Sequence, residues 1–230
     1  VDGIVLAAAG GSERMGGGPS KAMRPLGGVP VWLRALEPLL AGAPGAAAVV
    51  VVRARDRAAV LDLVAGHGAL RGVRVVEGGA TRQESVARGV AALPDAVEVV
   101  LVHDAARPLA TAGLVRRVLD AARRDGAAAP VVPVADSLHE VGSDGRLARS
   151  LDRERVRAVQ TPQGARADLL RRALERARET GARATDEVAL LLAAGVPVTP
   201  VEGEAENAKI TVPADWRRAE DEVARRASPR

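Results

Sequence analysis

The chain contains no cysteine, no phenylalanine and no tyrosine, and two tryptophans supply all of its aromatic side chains. Each absence removes a class of function. Without cysteine there can be no disulfide, no thiolate metal site and no cysteine nucleophile. Without aromatic platforms, the stacking on which single-stranded nucleic-acid binding relies has nothing to rest on. Charge of one sign is lacking too: 33 basic and 29 acidic residues leave a net charge of +4. Basic pairs such as Arg171-Arg172 and Arg225-Arg226 are interrupted by Ala, Leu and Glu at helical spacing, which describes solvated helix faces better than a nucleic-acid patch. No apolar run approaches the length that a membrane span needs. Residues 1–9 carry no basic leader and run into a glycine loop, so they read as a buried first strand and not as a signal peptide. The expectation is a soluble, cytoplasmic protein that binds neither nucleic acid nor membrane. The modest positive balance suits an anionic small substrate.

What is present is aliphatic. Hydrophobic residues make up 47% of 230, enough for one substantial α/β unit with a core of Val, Leu, Ile and Ala. Short β-branched runs at 4–7, 48–52, 73–76, 97–102 and 127–132 predict strands. They alternate with helical patterns at 31–40, 57–65, 82–92 and 112–124. This alternation predicts a mostly parallel sheet covered on both faces. After Pro133 the rhythm changes. Residues 134–160 hold Asp136-Ser137 and a Gly142-Ser143-Asp144-Gly145 turn, which suggests a hairpin projecting from the body. Helices at 165–179 and 185–194, a strand at 196–201 and a last helix from Pro213 complete a single domain spanning 1–230.

Two segments carry chemistry. The first is the loop Ala8-Ala9-Gly10-Gly11-Ser12-Glu13-Arg14-Met15-Gly16-Gly17-Gly18-Pro19-Ser20-Lys21. Glycines after a first strand let backbone N–H groups approach phosphate oxygens closely. A P-loop is excluded because Lys21 is preceded by Ser20 and followed by Ala22. A dinucleotide-binding turn is excluded because Gly10-Gly11-Ser12 breaks the G-x-G spacing and Arg53-Ala54-Arg55, not an acid, follows the second strand. What remains is a long basic loop with Arg14 and Lys21 as phosphate counter-charges, or a flexible surface loop. The second segment, Val102-His103-Asp104-Ala105-Ala106-Arg107-Pro108, delivers an Asp at the carboxyl end of an apolar strand, where ligands of open α/β sheets gather. That carboxylate could hold Mg²⁺ against a polyphosphate, with Arg107 neutralising an oxyanion. It could equally cap a turn or pair with Arg107. His103 has no second histidine nearby in sequence and reads as structural; Trp32 and Trp216 read as packing residues.

Together these segments resemble the 2-C-methyl-D-erythritol 4-phosphate cytidylyltransferases of the non-mevalonate isoprenoid pathway. The resemblance is carried by the A-A-G-x(3)-R-M loop ending in Lys21, by Gly78-Gly79 with Arg82 and Ser85, and by residues 102–108. It continues through Asp136-Ser137, Arg153, Thr161-Pro162-Gln163, Thr185-Asp186-Glu187, Glu202-Gly203 and Asn207-Ala208-Lys209-Ile210-Thr211. It implies a Rossmann-like three-layer α/β/α nucleotidyltransferase domain that transfers CMP from CTP to the sugar-alcohol phosphate. Ala8, Ala9, Gly79, Ala80 and Ser85 would border the cytosine. Gly10, Gly11 and the other loop amides, with Arg14 and Lys21, would bind the triphosphate, with Mg²⁺ near Asp104. Lys209 would sit beside the α-phosphate, and Asp104, Arg107 and Thr185 would meet the acceptor. Ser137, a hydroxyl where the family more often has Thr, and Arg153 lie on the arm, which in this family crosses to a second subunit. They would then serve the partner's site in a homodimer. A ribitol-5-phosphate cytidylyltransferase would share most of these features, and a non-catalytic nucleotide-binding module is the alternative outside enzymes. Thr185 also reads as a helix N-cap, Lys209 as an edge-strand charge, and Arg153 as one surface arginine among many.

Overall fold

The computed structural model describes residues 1–10 and 20–227. After β1 (Asp2–Ala7) come a short ribbon of β2 (Pro25–Leu26) and β3 (Val29–Pro30), then α1 (Val31–Gly42), β4 (Ala47–Val52) and α2 (Arg57–Gly66). The alternation continues through β5 (Arg74–Glu77), α3 (Arg82–Ala91), β6 (Val99–Asp104), α4 (Ala112–Asp125) and β7 (Ala127–Pro133). A hairpin of β8 (Leu138–Val141) and β9 (Leu147–Leu151) follows, paired only with itself. The chain ends through β10 (Arg157–Val159), β11 (Gln163–Arg166), α5 (Ala167–Thr180), α6 (Glu187–Ala193), β12 (Thr199–Glu202) and α7 (Pro213–Ala227).

The unbroken apolar runs form the middle of the sheet, because a strand covered on both faces needs apolar side chains pointing both ways. β1 pairs in parallel with β4 on one side and β6 on the other, and β4 pairs in parallel with β5. Beyond β6 the direction reverses. β11 pairs antiparallel with both β6 and β7, and β10 continues along the same edge of β7. β12 pairs in parallel with β7. The sheet is therefore mixed and mostly parallel, as the alternation predicted.

Side chains alternate between the two faces. Ile4, Leu6, Val50 and Leu101 meet Trp32 and Leu36 of α1 and Val118 of α4. Val5, Val49, Val51, Val100 and Val102 meet Val86 and Val90 of α3, Leu170 of α5 and Leu191 of α6. A third, smaller cluster seats α7 by packing Ala219 against Leu26, Val31 and Ile210. Three layers result. No helix among the described residues is long and apolar enough to cross a membrane.

Four sequence-based boundaries are corrected. The helix expected from 165 starts at Ala167, and Gln163–Arg166 is a strand. Residues 157–159, expected in the arm, return to the main sheet as β10. The strand expected at 196–201 is Thr199–Glu202, because Gly195 and Val196 still turn back onto α6 through bonds to the Leu192 and Leu191 carbonyls. The helix expected from Thr185 begins at Glu187, since the Asp186 carboxylate, not the Thr185 hydroxyl, accepts the Ala189 N–H at 2.9 Å.

Candidate active site

Chain order reverses between β1 and β6, and their carboxyl ends open a crevice there. The ladder extends one residue past each central strand. The Ala8 N–H reaches the Val51 carbonyl, that of Gly78 reaches Val52, and that of Ala105 reaches Ala7. Three loops thus leave the sheet at one rim and enclose a cleft of about 330 Å³, whose lining includes Ala8, Ala9, Gly10, Gly79, Ala80 and Ser85. Lys21, Arg82, Asp104 and Lys209 supply its charge.

The wall at Gly79 and Ala80 is held by the chain's own hydrogen bonds. The Gly79 N–H donates to Ser85 Oγ at 3.1 Å, Ser85 Oγ donates to the Thr81 carbonyl at 2.8 Å, and the Ala80 N–H donates to Glu84 Oε2 at 2.9 Å. Thr81 caps α3 by accepting the Glu84 N–H. Gly78 is required by close approach: a Cβ there would stand 2.6 Å from the Ala9 Cβ and 2.7 Å from Ser85 Oγ. Arg53 Nε holds the Ala9 carbonyl at 3.2 Å from the far side.

Electrostatics concentrate on Asp104, whose side chain is 10% exposed at the end of β6. Arg82 Nε donates to Oδ1 at 2.9 Å and Lys209 Nζ to Oδ2 at 2.7 Å. Burial alone would raise the carboxyl's pKa, but these two cations hold it well below the usual carboxylate range. Arg82 also forks onto Glu187, Nη1 to Oε1 at 2.8 Å and Nη2 to Oε2 at 2.9 Å. Burial pushes the Glu187 carboxyl up, with Arg82 opposing. Burial likewise opposes the charge on Arg82, yet its two carboxylates raise its pKa above an already high value. Lys21 Nζ donates to the Ile210 carbonyl at 2.5 Å, which brings the end of the glycine loop against the segment that carries Lys209.

Of the residues chosen from sequence, Ala8, Ala9, Gly10, Lys21, Gly79, Ala80, Ser85, Asp104 and Lys209 meet in this cleft. Arg14 and Gly11 lie outside the described residues. Arg107 does not line the cleft. Its Nη1 donates to the Asn207 carbonyl at 2.8 Å and its Nη2 to that of Val159 at 3.4 Å. Thr185 is exposed on a larger hollow of about 960 Å³ between α3 and α5, which Arg82 and Arg178 also line. That hollow has no counterpart to the charged convergence on Asp104. Ser137 and Arg153 are exposed at the base of the β8–β9 hairpin, where Arg153 Nη1 donates to the Ala135 carbonyl at 3.0 Å. Arg82 and Glu187 were quoted from sequence without a role, and the structure puts Arg82 at the centre. Its signal was its place at the first turn of a helix that starts from the sheet's carboxyl rim.

His103 is fully buried beneath Asp104. Burial lowers its pKa to about 4, against an ordinary value near 6.5, so the ring is neutral at physiological pH. Between those two pH values the unfolded chain binds a proton that the folded chain refuses. Stability therefore falls as pH drops through that window, by on the order of 3 kcal/mol. The depressed Asp104 carboxyl has its effect lower: its contribution is present above the ordinary carboxylate pKa and is lost only below about pH 4. Urea unfolding of wild type and His103→Asn between pH 7 and 4.5 should show a shallower pH slope in the variant. Parallel slopes would refute the assignment.

With the cleft and its cations in place, relatives give the arrangement a context. The profile of IspD, 2-C-methyl-D-erythritol 4-phosphate cytidylyltransferase, matches residues 3–225. The chain belongs to this family. The cytidylyltransferase of Frankia casuarinae, which bears the family's name, is 46% identical over 96% of this chain and 80% of its own length. The crystal structure of the Thermus thermophilus cytidylyltransferase is 41% identical, with a TM-score of 0.76 over 97% of this chain and 98% of that one. The 4-diphosphocytidyl-2C-methyl-D-erythritol synthase structure from Anaerococcus prevotii reaches 0.84 at 25% identity, over 97% and 99% of the two chains. As a cytidylyltransferase of isoprenoid biosynthesis, the chain is a nucleotidyltransferase enzyme, and the α/β nucleotidyltransferase fold follows with it.

Proposed function

We propose that the cleft at the carboxyl ends of β1 and β6 is where CTP and 2-C-methyl-D-erythritol 4-phosphate react to give 4-diphosphocytidyl-2-C-methyl-D-erythritol and pyrophosphate. The observation that carries this reading is the convergence of Arg82 and Lys209 on one buried carboxylate, in a cleft that Lys21 also lines, beside a hydrogen-bonded ledge at Gly79 and Ala80. Cations held in place before the reaction stabilise charge as it develops, at no cost of reorganisation. The base lies against Ala8, Ala9, Gly79, Ala80 and Ser85, and the triphosphate lies against Gly10 and Lys21; Gly11 and Arg14, outside the described residues, are assigned to it from the family pattern alone. An acceptor phosphate oxygen attacks the α-phosphorus in line. The new P–O bond forms as the bond to the β-phosphate oxygen breaks, and the electron pair leaves with pyrophosphate. No proton has to move and no covalent enzyme intermediate is needed, so catalysis consists of holding two polyanions together and neutralising them.

The reading includes Mg²⁺. Among the described residues there is no cluster of three or more acidic or histidine ligands, and Asp104 is the one carboxylate that lines the cleft. A single carboxylate suits an ion bound chiefly through substrate phosphates and water. Asp104 would hold it, and the ion would supply charge neutralisation on the triphosphate. Ser137 and Arg153, outside the cleft, fit the family's pattern of an arm that reaches a second subunit. Support comes from the hairpin's separate pairing and its exposed Val141 and Leu147, 65% and 71% accessible. The proposal therefore extends to a cytoplasmic homodimer of single-domain chains, with residues 134–156 forming the arm and Arg107 and Thr185 on the acceptor side.

The test is pyrophosphate release with CTP and Mg²⁺, comparing methylerythritol phosphate with ribitol 5-phosphate. A strong preference for the first is expected. A preference for the second would move the acceptor and keep the chemistry, and CTP binding without release from either would overturn catalysis.

A further inference from the structure

Below the cleft lies a hydrogen-bonded chain that the reaction itself does not use. The Arg107 carbonyl can only accept, and it lies 2.9 Å from His103 Nε2, so Nε2 carries the ring proton. A neutral ring then leaves Nδ1 as an acceptor, and Thr161 Oγ1, at 2.9 Å, donates to it. The same hydroxyl oxygen accepts the Asp104 N–H at 3.1 Å. His103 and Thr161 are both buried, and the turn between the two ends of this chain is closed from outside by the Arg107 N–H on the Asp104 carbonyl. The bonds from His103 therefore grip both ends of the 104–107 turn.

That turn in turn holds the other side of the site. The Ile210 N–H donates to the Ala106 carbonyl at 2.8 Å, next to Lys209. Arg107 Nη1 grips the Asn207 carbonyl at 2.8 Å, and Asn207 Nδ2 returns to the Thr161 carbonyl at 2.8 Å. Asp104 and Lys209 thus meet at 2.7 Å because one turn fixes both of their backbones.

We propose that His103 is a positioning residue of the cytidylyl transfer: its Nε2–H and Nδ1, through the Arg107 carbonyl and the Thr161 hydroxyl, set the 104–107 turn that aims Asp104 at Lys209. The inference rests on the place of Asp104 in the proposed reaction. Misplacing reacting groups by about 1 Å can cost roughly a hundredfold in rate.

The experiment compares His103→Asn, too short to reach the Arg107 carbonyl, with His103→Gln, whose Nε2 can still donate to it. Each is measured alone, and the Asn change also with Asp104→Asn. His103→Asn should lower kcat by roughly tenfold to a hundredfold with the KM for CTP within about threefold, while His103→Gln stays within about fivefold of wild-type kcat. With Asp104→Asn already present, His103→Asn should cost less than about threefold more, since residues acting through one another are not additive. Wild-type kcat in His103→Asn, equal damage in Asn and Gln, or an undiminished loss beside Asp104→Asn would overturn the proposal. Wild-type kcat in Asp104→Asn alone would overturn the underlying reaction assignment together with it. Where His103→Asn does not fold, the Gln variant decides: kcat within about fivefold supports the proposal and a larger loss overturns it.

Discussion

Lys209→Ala lowers turnover by roughly tenfold to a thousandfold while the chain folds as before. The two halves of this expectation come from different features. The side chain of Lys209 is 41% exposed, so its removal opens no cavity in the core. Its backbone is held by the adjacent Ile210 N–H on Ala106 and stays in place without the ammonium. Asp104 keeps Arg82 as a partner and is not left as an unpaired buried charge. What disappears is a cation held in place at the cleft, and a preorganised charge is among the larger contributions a site makes to a transition state. Lys21→Ala should act in the same direction, because its Nζ reaches the same segment through the Ile210 carbonyl. Pyrophosphate release measures the loss, and an unchanged urea midpoint separates it from unfolding. Near-normal turnover in both variants would remove the cationic cluster from the mechanism.

Arg82→Met has its largest effect on stability. Glu187 is buried at the start of α6 and its carboxylate is satisfied by both terminal nitrogens of Arg82. Methionine keeps much of the stem's length and removes the charge, stranding the acid in the interior. Breaking one partner of a buried pair costs about 3–5 kcal/mol. Replacing both partners by apolar groups removes the stranded charge, so Arg82→Met with Glu187→Leu should recover most of that loss. The double variant should still be impaired in turnover, since Asp104 Oδ1 has lost its Nε partner. Urea midpoints of wild type, single and double variants decide the matter. A single variant as stable as wild type, or a double variant no better than the single, would contradict this account of the pair.

How far the sequence revealed this molecule depended on how local each signal was. β1, β4 and β6 were legible because a strand buried on both faces must be apolar without interruption. β11 was not. Its Gln163-Gly164-Ala165-Arg166 carries no strand pattern, and the helical spacing of α5 extends backward over it. It exists because it fits between β6 and β7, where Gly164 leaves room: a Cβ there would stand 3.0 Å from Val118 Cγ1 and 3.1 Å from Leu101 Cδ2. Asp104 was legible as an acid at a strand's carboxyl end, and Lys209 through the family pattern. The Arg82–Glu187 pair spans 105 positions, and no spacing rule reaches that far. His103 read as structural from its lone place on a strand; its ties to Thr161 and Arg107 required the turn to be seen closed.

The scarcity of aromatic rings has a consequence for observing the molecule. Trp32 is sealed inside the core beside Val31, a residue that lines the cleft, whereas Trp216 on α7 lies under the guanidinium of Arg24, 4.8 Å from its centroid. No tyrosine or phenylalanine absorbs alongside them. Near-ultraviolet light thus addresses only two places, one in the interior and one where the last helix docks. A single substitution, of either tryptophan, leaves one native fluorophore whose signal belongs to one known location.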